Sequence, residues 1–449
     1  MSQPVPSLKR VLSRRDLILY GLVILGPTAP YPIFGIVQQL SRGHAALGYL
    51  IAMVAVVFTA ASYGKMSSAF PSAGSSYTYA RHALNEYLGF LAGWAMILDY
   101  LLIPLVSIIY AALTAHRLLP AIPYEAWAAA FAIALTLINI PGIRVTARAS
   151  EVMLAVMGFC AITFVILAAR YVVNAHGVSG LFDTTAIFRP ETFALRPVML
   201  GAGIAALSYI GFDAISTLAE DTVNPERNIG SATLIVCVLQ TAICFLTVYL
   251  AALVWPDYRA FPEPDTAILD ISRRVGGAWM FAFLTLVLLV AGLASALTGQ
   301  AGASRLLYGM GRDGVISRRI FGHLDPRFAT PTRSIYLMGA LTLISSVFLR
   351  FEIAVELLNF GAFAGFILVN LSVIRHFYFR LGQRQRTQVF TNLIFPACGV
   401  VFCAYLWISL SSKAKISGFV WLAIGVCYLA FLTRGFRVMP KPLASLQNQ

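Results

Sequence analysis

Long stretches of this sequence contain no aspartate, glutamate, lysine or arginine. A helix that crosses the hydrocarbon core of a bilayer needs roughly 20 mostly apolar residues. The charge-free stretches are residues 17–41, 43–64, 126–143, 152–169, 228–256, 275–304, 334–349, 357–374, 387–412 and 416–433. Two further apolar stretches carry one charge each, Asp99 within 87–116 and Asp213 within 197–219. The pattern predicts an all-α polytopic membrane protein with twelve transmembrane helices, although 334–349 is short enough for a re-entrant segment.

The composition excludes several other classes of protein. Of 449 residues, 59% are hydrophobic and 12% are charged, whereas a soluble domain carries about 25% charged residues. A soluble enzyme, a disordered chain and a nucleic-acid binder are therefore excluded, although the formal net charge is +14. No phosphate-binding loop motif is present, and the six histidines lack the spacing of metal ligands. We therefore expect no cofactor, no metal site and no catalytic residue.

Basic residues are distributed unevenly between the segments that connect the predicted spans. With an even number of spans, 22 of the 33 lysines and arginines fall on the side that carries both termini. Because basic loops stay in the cytoplasm, both termini are predicted to be cytoplasmic in a bacterial inner membrane. Contact with the anionic headgroups of the lipid bilayer then accounts for the basic character of the chain. All six cysteines fall within spans, so we expect no disulfide framework.

The first span is interrupted by prolines at its centre. Residues 26–32 read GPTAPYP, and each proline removes a backbone donor and collides with the preceding helical turn. Three prolines within six residues predict an unwound segment, for which a kinked but continuous helix is the alternative. Carbonyls freed at this depth need a ligand, a cavity or neighbouring protein atoms as partners. This break is therefore a candidate ligand site.

The sixth span is disrupted in a different way. It contains Gly201 and Gly203, followed by the sequence SYIGFD at 208–213. An aspartate at the centre of a membrane helix costs roughly 2.5–3.5 kcal/mol on insertion scales and by default marks a functional site. Asp213 is accordingly the first candidate to bind an ammonium group. A structural role, in which its carboxylate holds the break through backbone donors, is an equal alternative and is compatible with the first.

Breaks in spans one and six are the pattern of an inverted-repeat, LeuT-like transporter of five plus five helices, with its substrate at the midplane. The last two helices lie outside the repeat, where they serve packing or a homodimer interface. The predicted regions are a cytoplasmic tail 1–15, a first repeat 16–170, a periplasmic loop 171–198, a second repeat 199–380, two further helices 381–434 and a cytoplasmic tail 435–449.

Several motifs resemble those of a known transporter superfamily. They include FTAASYGK at 58–65, FPSAGSSYTYA at 70–80, GFDA at 211–214 and NPER at 224–227. These runs resemble the amino acid–polyamine–organocation permeases. Three others are closer to the bacterial putrescine importers within that superfamily, namely WPD at 255–257, SRLLY at 304–308 and LNFGA at 358–362. The resemblance implies a secondary transporter that imports an amine or an amino acid by alternating access.

The first break departs from the pattern of this superfamily at two places. Amino-acid members typically carry Gly-Ser-Gly there, whose backbone N–H groups capture the substrate carboxylate, whereas this chain has Pro27, Thr28 and Ala29. The loss of donors favours a substrate whose main handle is cationic. The putrescine importers carry an aspartate where Pro32 stands here. Because a diamine requires two anionic partners, a substrate with a single amine is an open alternative.

The substrate-binding candidates lie at both breaks and on span three. They are Pro27, Thr28, Ala29, Tyr31, Tyr100, Ser208, Tyr209, Gly211, Phe212 and Asp213. The ring of Tyr100 can face an ammonium group or an alkyl chain, and its hydroxyl can bond the substrate. Tyr31 and Tyr209 flank the two breaks as aromatic lids, with interhelical packing as the alternative.

Gating or ion coupling is assigned to Asp99, Glu220, Ser295 and Thr298. Asp99 is interpreted mainly as a structural residue that pairs with a base such as Lys65 or with backbone donors. Ser295 and Thr298 offer hydroxyls that complete a cation site beside the first break.

Two further groups are interpreted as parts of an inner gate. Glu220 and Asp221 are expected opposite Arg227, with a solvated helix end as the alternative. Tyr77 and Tyr79, near the inner end of span three, line the gate or anchor the chain at the membrane interface.

The coupling ion is predicted to be a proton rather than sodium. Some members of the superfamily carry a lysine on span five in the place of a sodium ion, and that place falls at Met157 here. The leading hypothesis is a proton-coupled importer of a putrescine-like amine. The alternatives are a neutral or cationic amino-acid permease or exchanger and, in another class, a substrate sensor on a transporter scaffold.

Overall fold

The computed structural model describes residues 12–71, 75–141, 147–312, 317–328 and 330–437, without the side chains of 147–150, 217, 220, 221 and 312. Within these ranges the regular elements are helical, and the one extended pairing is an isolated bridge between Leu12 and Thr222. The α-helices are α1 (Arg14–Leu25), α2 (Phe34–Leu40), α3 (Ala45–Ala69), α4 (Ser75–Ala83), α5 (Glu86–Leu118), α6 (Tyr124–Asn139), α7 (Ala147–His176), α8 (Leu195–Ala205), α9 (Pro225–Val254), α10 (Ala267–Arg312), α11 (Arg318–Phe321), α12 (Thr332–Phe348), α13 (Phe351–Val373), α14 (Arg386–Val389), α15 (Phe395–Ser409) and α16 (Ser412–Leu432).

Nine helical segments in the described part of the chain are long and apolar enough to cross a membrane. Two more, α6 and α12, are apolar but shorter. The prediction of an all-helical polytopic membrane protein is therefore confirmed, while the count of twelve spans stays a prediction. The doubtful stretch 334–349 forms the 17-residue helix α12, which begins before the charge-free stretch, at Thr332.

The first break follows from the local sequence as expected. Helix α1 starts with a capping box between Ser13 and Asp16 and ends at Leu25. Gly26 has a φ angle of +71°, which glycine adopts at little cost, and the chain then turns before a short 3-10 helix at Tyr31–Ile33. Helix α2 resumes at Phe34. The prolines therefore separate two helical halves, and the alternative of a kinked, continuous helix is wrong.

The second break begins later than the glycines of span six indicated. Helix α8 runs through Gly201 and Gly203 and ends at Ala205, and a 3-10 turn follows at Ala206–Tyr209. Gly211 has a left-handed backbone with a φ angle of +111°, and the chain continues as a 3-10 helix over Phe212–Asp221. Gly201 instead allows close packing, because a Cβ atom there would lie 2.9 Å from the Cβ atom of Ser41.

Helices α1, α3, α9 and the second break form the centre of the bundle. Gly64 of α3 and Gly230 of α9 let two backbones touch, since a Cβ atom on Gly64 would lie 2.6 Å from the Cα atom of Gly230. Gly21 of α1 packs instead against a side chain, since a Cβ atom there would lie 2.7 Å from the Cδ1 atom of Ile215. At the periphery large apolar side chains are exposed, Phe348 and Phe431 among them, as expected for side chains that meet lipid.

Candidate functional site

The two breaks lie directly against each other. A Cβ atom on Gly211 would lie 2.5 Å from the Cγ2 atom of Ile24, the residue two positions before Gly26. The side chain of Gln240, on α9, contacts both unwound segments. Its Nε2 atom donates to the carbonyl of Gly26 at 3.0 Å and to the carbonyl of Ser208 at 3.2 Å. One buried amide thus donates to a carbonyl of each unwound segment.

The first break has few free amides to offer an anion. The amide of Ala29 donates to the carbonyl of Gly26 at 3.1 Å, and that of Tyr31 donates to the carbonyl of Thr28 at the same distance. Pro27 and Pro30 have no N–H group. Two of the four donors that the sequence leaves in this segment are therefore used within the turn itself, which weakens the site for a carboxylate further.

Ser208 and Tyr209 hold the second break to helix α3. The hydroxyl of Ser208 donates to the Tyr49 hydroxyl at 3.4 Å, and the hydroxyl of Tyr209 donates to the Tyr49 carbonyl at 3.4 Å. Tyr49 in turn donates to the carbonyl of Pro30 in the first break, also at 3.4 Å. For Tyr209, which is fully buried, this geometry fits interhelical packing better than a lid.

Tyr31 is also fully buried, and its ring packs against Phe164 of α7 with centroids 5.4 Å apart. Its hydroxyl has no hydrogen-bond partner in the described part of the chain. The ring therefore fits packing between helices, and the hydroxyl lies near that of Thr247 on α9.

Asp213 lies just past the second break and is 9% exposed. It interacts electrostatically with Tyr20 of α1 and with Asp99 and Tyr100 of α5. None of the bases in the described part of the chain forms an ion pair with it. The nearest donors are backbone amides, those of Gly211 and of Asp213 itself. The carboxylate therefore lacks a cationic partner among the described residues, and backbone amides of the break support it.

Asp99 and Tyr100 are neighbours on α5, and they differ in their surroundings. Asp99 is buried, and its Oδ1 atom has no hydrogen-bond partner among the described residues, whereas Tyr100 is 41% exposed. Lys65 is not the partner of Asp99. Its ammonium group binds the hydroxyl of Thr391 at 2.8 Å and the side-chain carbonyl of Asn392. The expected Lys65 pair is therefore wrong, and Asp99 stands beside Asp213 as a second deep carboxyl group.

An aromatic cluster closes the side of the breaks that faces α4. The ring of Tyr63 lies edge-on to three others, with centroid distances of 5.4 Å to Phe212, 5.9 Å to Tyr79 and 6.1 Å to Phe366. Phe212 and Phe366 are also in contact, 5.1 Å apart. Tyr79 is fully buried in this cluster, so its role as a membrane-interface anchor is wrong. Tyr77 instead packs near Gly93 of α5.

The remaining gating candidates are not joined to the first break. Ser295 accepts a hydrogen bond from Ser107 of α5 at 3.2 Å, and the hydroxyl of Thr298 donates to carbonyls of its own helix. No contact recorded among the described residues links either hydroxyl to the first break. The side chains of Glu220 and Asp221 lie outside the described part of the chain.

Comparison with known proteins identifies the chain as a member of a transporter family. The family model described as "Amino acid permease" matches residues 32–431. The chain belongs to this family, which is part of the amino acid–polyamine–organocation superfamily. It is therefore a multi-pass membrane permease, as the motifs of the sequence indicated.

Three relatives show the range of the family. The low-affinity putrescine importer PlaP of Escherichia coli (strain K12) is 34% identical, over 96% of this chain and 95% of the importer. The vacuolar cationic amino acid transporter 4 of Arabidopsis thaliana is 29% identical, over 82% of this chain and 63% of the transporter. The branched-chain amino acid permease BcaP of Bacillus subtilis (strain 168) is 25% identical, over 94% and 92%.

Sequence reasoning missed three residues of this site. Gln240 carries no charge, so a search for breaks in the charge-free pattern passes over it, yet it is the one glutamine within 228–256. Tyr20 and Tyr63 are aromatic residues within apolar helices, where no local signal separates a site residue from a packing residue. An uncharged amide at the centre of an apolar span is the signal that identifies Gln240.

Proposed function

We propose that this permease imports a small cationic amine across a bacterial inner membrane by alternating access. The observation that carries the proposal is the position of Asp213, a deep carboxylate with no ion-pair partner in the described part of the chain, beside the meeting point of the two breaks. An ammonium group that loses its water at this depth needs a counter-charge or converging carbonyl dipoles. Both are available here.

The proposal includes a LeuT-like architecture of twelve spans, with repeats at 16–170 and 199–380 and both termini in the cytoplasm. The two breaks fall at equivalent places of the two repeats, as an inverted-repeat transporter requires. Helices α15 and α16 lie outside the repeats and are available for a homodimer interface.

The proposed substrate class follows from the small number of free backbone N–H donors at the first break. Pro27, Pro30 and Pro32 donate nothing, and the amides of Ala29 and Tyr31 are already bonded, so a carboxylate finds few donors. Tyr20 and Tyr100, close to Asp213, offer ring faces and hydroxyls to an ammonium group. Similarity to a putrescine importer supports a putrescine-like amine as the substrate.

A proton is proposed as the coupling ion. Asp99 and Asp213 are two buried carboxyl groups close enough to interact, and a carboxyl group can carry a coupling proton. Met157 occupies the place where some relatives carry a lysine, so that device is absent. An ammonium group bound beside Asp213 would compete with a proton for this carboxylate.

A neutral amino-acid permease is the second candidate. Pro32 stands where putrescine importers carry an aspartate, and similarity to BcaP extends over nearly the whole chain. An amino acid would place its ammonium group at Asp213 and leave its carboxylate at the proline-rich break.

Uptake into proteoliposomes separates the two candidates. Purified protein is reconstituted, and uptake of labelled putrescine, spermidine and a panel of neutral and cationic amino acids is compared with uptake into protein-free liposomes. We expect saturable uptake of putrescine driven by an inward proton gradient. Uptake confined to neutral amino acids would contradict the proposal and support the second candidate.

A further inference from the structure

Gln240 is the one described side chain seen to hydrogen-bond carbonyls of both breaks. It is fully buried on α9 and contacts the C-terminal end of α1, at Gly26, and the turn that precedes Gly211, at Ser208. Its two partners, the carbonyls of Gly26 and Ser208, are acceptors without a proton to donate. The NH₂ end of the amide must therefore face them, and the orientation of this side chain is fixed by chemistry.

The other end of the same amide is free. The Oε1 atom of Gln240 is buried and has no hydrogen-bond partner among the described residues. Buried polar atoms are nearly always paired, so an orphan acceptor at the junction of two unwound segments indicates a place for a ligand or an ordered water. The adjacent Thr241 differs in this respect, since its hydroxyl donates to the carbonyl of Cys237 in its own helix.

The bonds of Gln240 help to set the spacing of the two breaks, which the bonds of Tyr49 also link. Each unwound segment has carbonyls that its own helix cannot satisfy, and a shared donor keeps them within one side-chain length of each other. The carbonyl of Gly26 also accepts from Ala29, so the amide is added to a turn that is already formed. Loss of this amide would leave each unwound segment folded but would remove a link that holds the two segments together.

We propose that Gln240 is a positioning residue of the ligand site, which joins the two breaks into one site through the carbonyls of Gly26 and Ser208. This inference rests on the proposed function for its ligand and on the structure alone for its geometry. A ligand that contacts both breaks therefore depends on an amide that carries no charge. The Oε1 atom of the same amide is buried and has no partner among the described residues, so it provides an acceptor for an N–H group.

The geometry is tested without any ligand by hydrogen exchange of the full-length protein in nanodiscs. Gln240→Met keeps the length and much of the volume of the side chain and removes the amide. We expect exchange to rise at least about threefold in peptides that cover residues 26–33 and 207–214, and in both together. Thr233→Val is the matched control, because Thr233 is buried on the same helix and its hydroxyl bonds only the carbonyl of Ile229.

Unchanged exchange at either break, or an equal rise in all peptides of the protein, would overturn the proposal. Gln240→Asn serves as the second variant if the methionine variant does not fold. Its shorter side chain reaches one carbonyl instead of two, so a smaller rise in exchange is expected.

The ligand arm uses putrescine as the probe. We expect Gln240→Met to raise the putrescine Kd at least about tenfold, with a melting temperature within a few degrees of the Thr233→Val protein. A melting temperature that falls sharply with an unchanged Kd would assign Gln240 a purely structural role and overturn the proposal. If the wild-type protein binds no putrescine, the proposed substrate is wrong, and the exchange experiment still decides the role of Gln240.

Discussion

The methyl end of Met157 lies at the first break. Its Cε atom is 2.7 Å from the place that a Cβ atom would take on Gly26. Helix α7 therefore presents an uncharged thioether to the unwound segment. Met157 can neither supply a positive charge nor carry a proton. The groups near the breaks that can carry the coupling proton are the carboxyl groups of Asp99 and Asp213, which interact with each other.

We therefore expect uptake to follow a proton gradient and to ignore a sodium gradient. Met157→Lys would place a cation at the first break and repel an ammonium substrate, so amine uptake should fall at least about tenfold. Met157→Leu is the control that keeps the size without the charge and should retain most of the activity. Uptake that tracks sodium and ignores pH would reject proton coupling.

Gly211 is predicted to be indispensable for the contact between the breaks. Gly211→Ala places a methyl group 2.5 Å from Ile24 and strains a left-handed backbone by about 1–2 kcal/mol. Gly382→Ala is the control, since Gly382 also has a positive φ angle and no atom within 4 Å of the added methyl group. We expect the Gly211 variant to lose at least about nine-tenths of uptake and the Gly382 variant to lose little. Equal effects on uptake would show that backbone strain alone matters.

Asp213→Asn tests the counter-charge. The change keeps the shape of the side chain and removes the charge, and breaking a buried charge pair from one side typically costs about 3–5 kcal/mol. We expect amine binding to weaken at least about tenfold, equivalent to about 1.4 kcal/mol, in a titration that follows intrinsic fluorescence. The control is Asp257→Asn in an exposed loop, where the carboxylate bonds the amide of Arg259. Equal amine affinities of the Asp213→Asn variant and the wild type would show that Asp213 does not bind the ammonium group.

The topology is predicted from the distribution of basic residues. Because 22 of 33 lysines and arginines lie on the side of the two termini, both termini should face the cytoplasm. An alkaline phosphatase domain fused after Gln449 should be inactive in intact cells. A fusion that is active in the periplasm would reverse the orientation.

The sequence predicts the two breaks because their causes are local. Prolines at 27, 30 and 32 exclude a continuous helix whatever packs around them. The second break is also marked locally, by a glycine that can adopt a positive φ angle at 211 and by an aspartate within an apolar stretch at 213. Gly201 and Gly203 were wrong as break residues, because a glycine inside a membrane helix also serves close packing, here against Ser41 and Leu410.

Contacts between distant residues were beyond the reach of the sequence pattern. Lys65 and Asp99 both lie within or beside apolar spans, yet the partners of Lys65 come from residues 391 and 392, more than 300 positions away. The bridge made by Gln240 also depends on how three helices meet. Such pairings follow from tertiary packing, which hydropathy and spacing do not contain.

The central claim is that the site recognises the ammonium group of its substrate and depends little on a substrate carboxylate. The most direct measurement is competition against labelled substrate in proteoliposomes, with putrescine paired with ornithine and cadaverine paired with lysine. The account predicts that each amine competes better than its parent amino acid, because Asp213 binds the ammonium group and the proline-rich break offers the carboxylate few donors. Tight competition by the amino acids, with none by the amines, would contradict it.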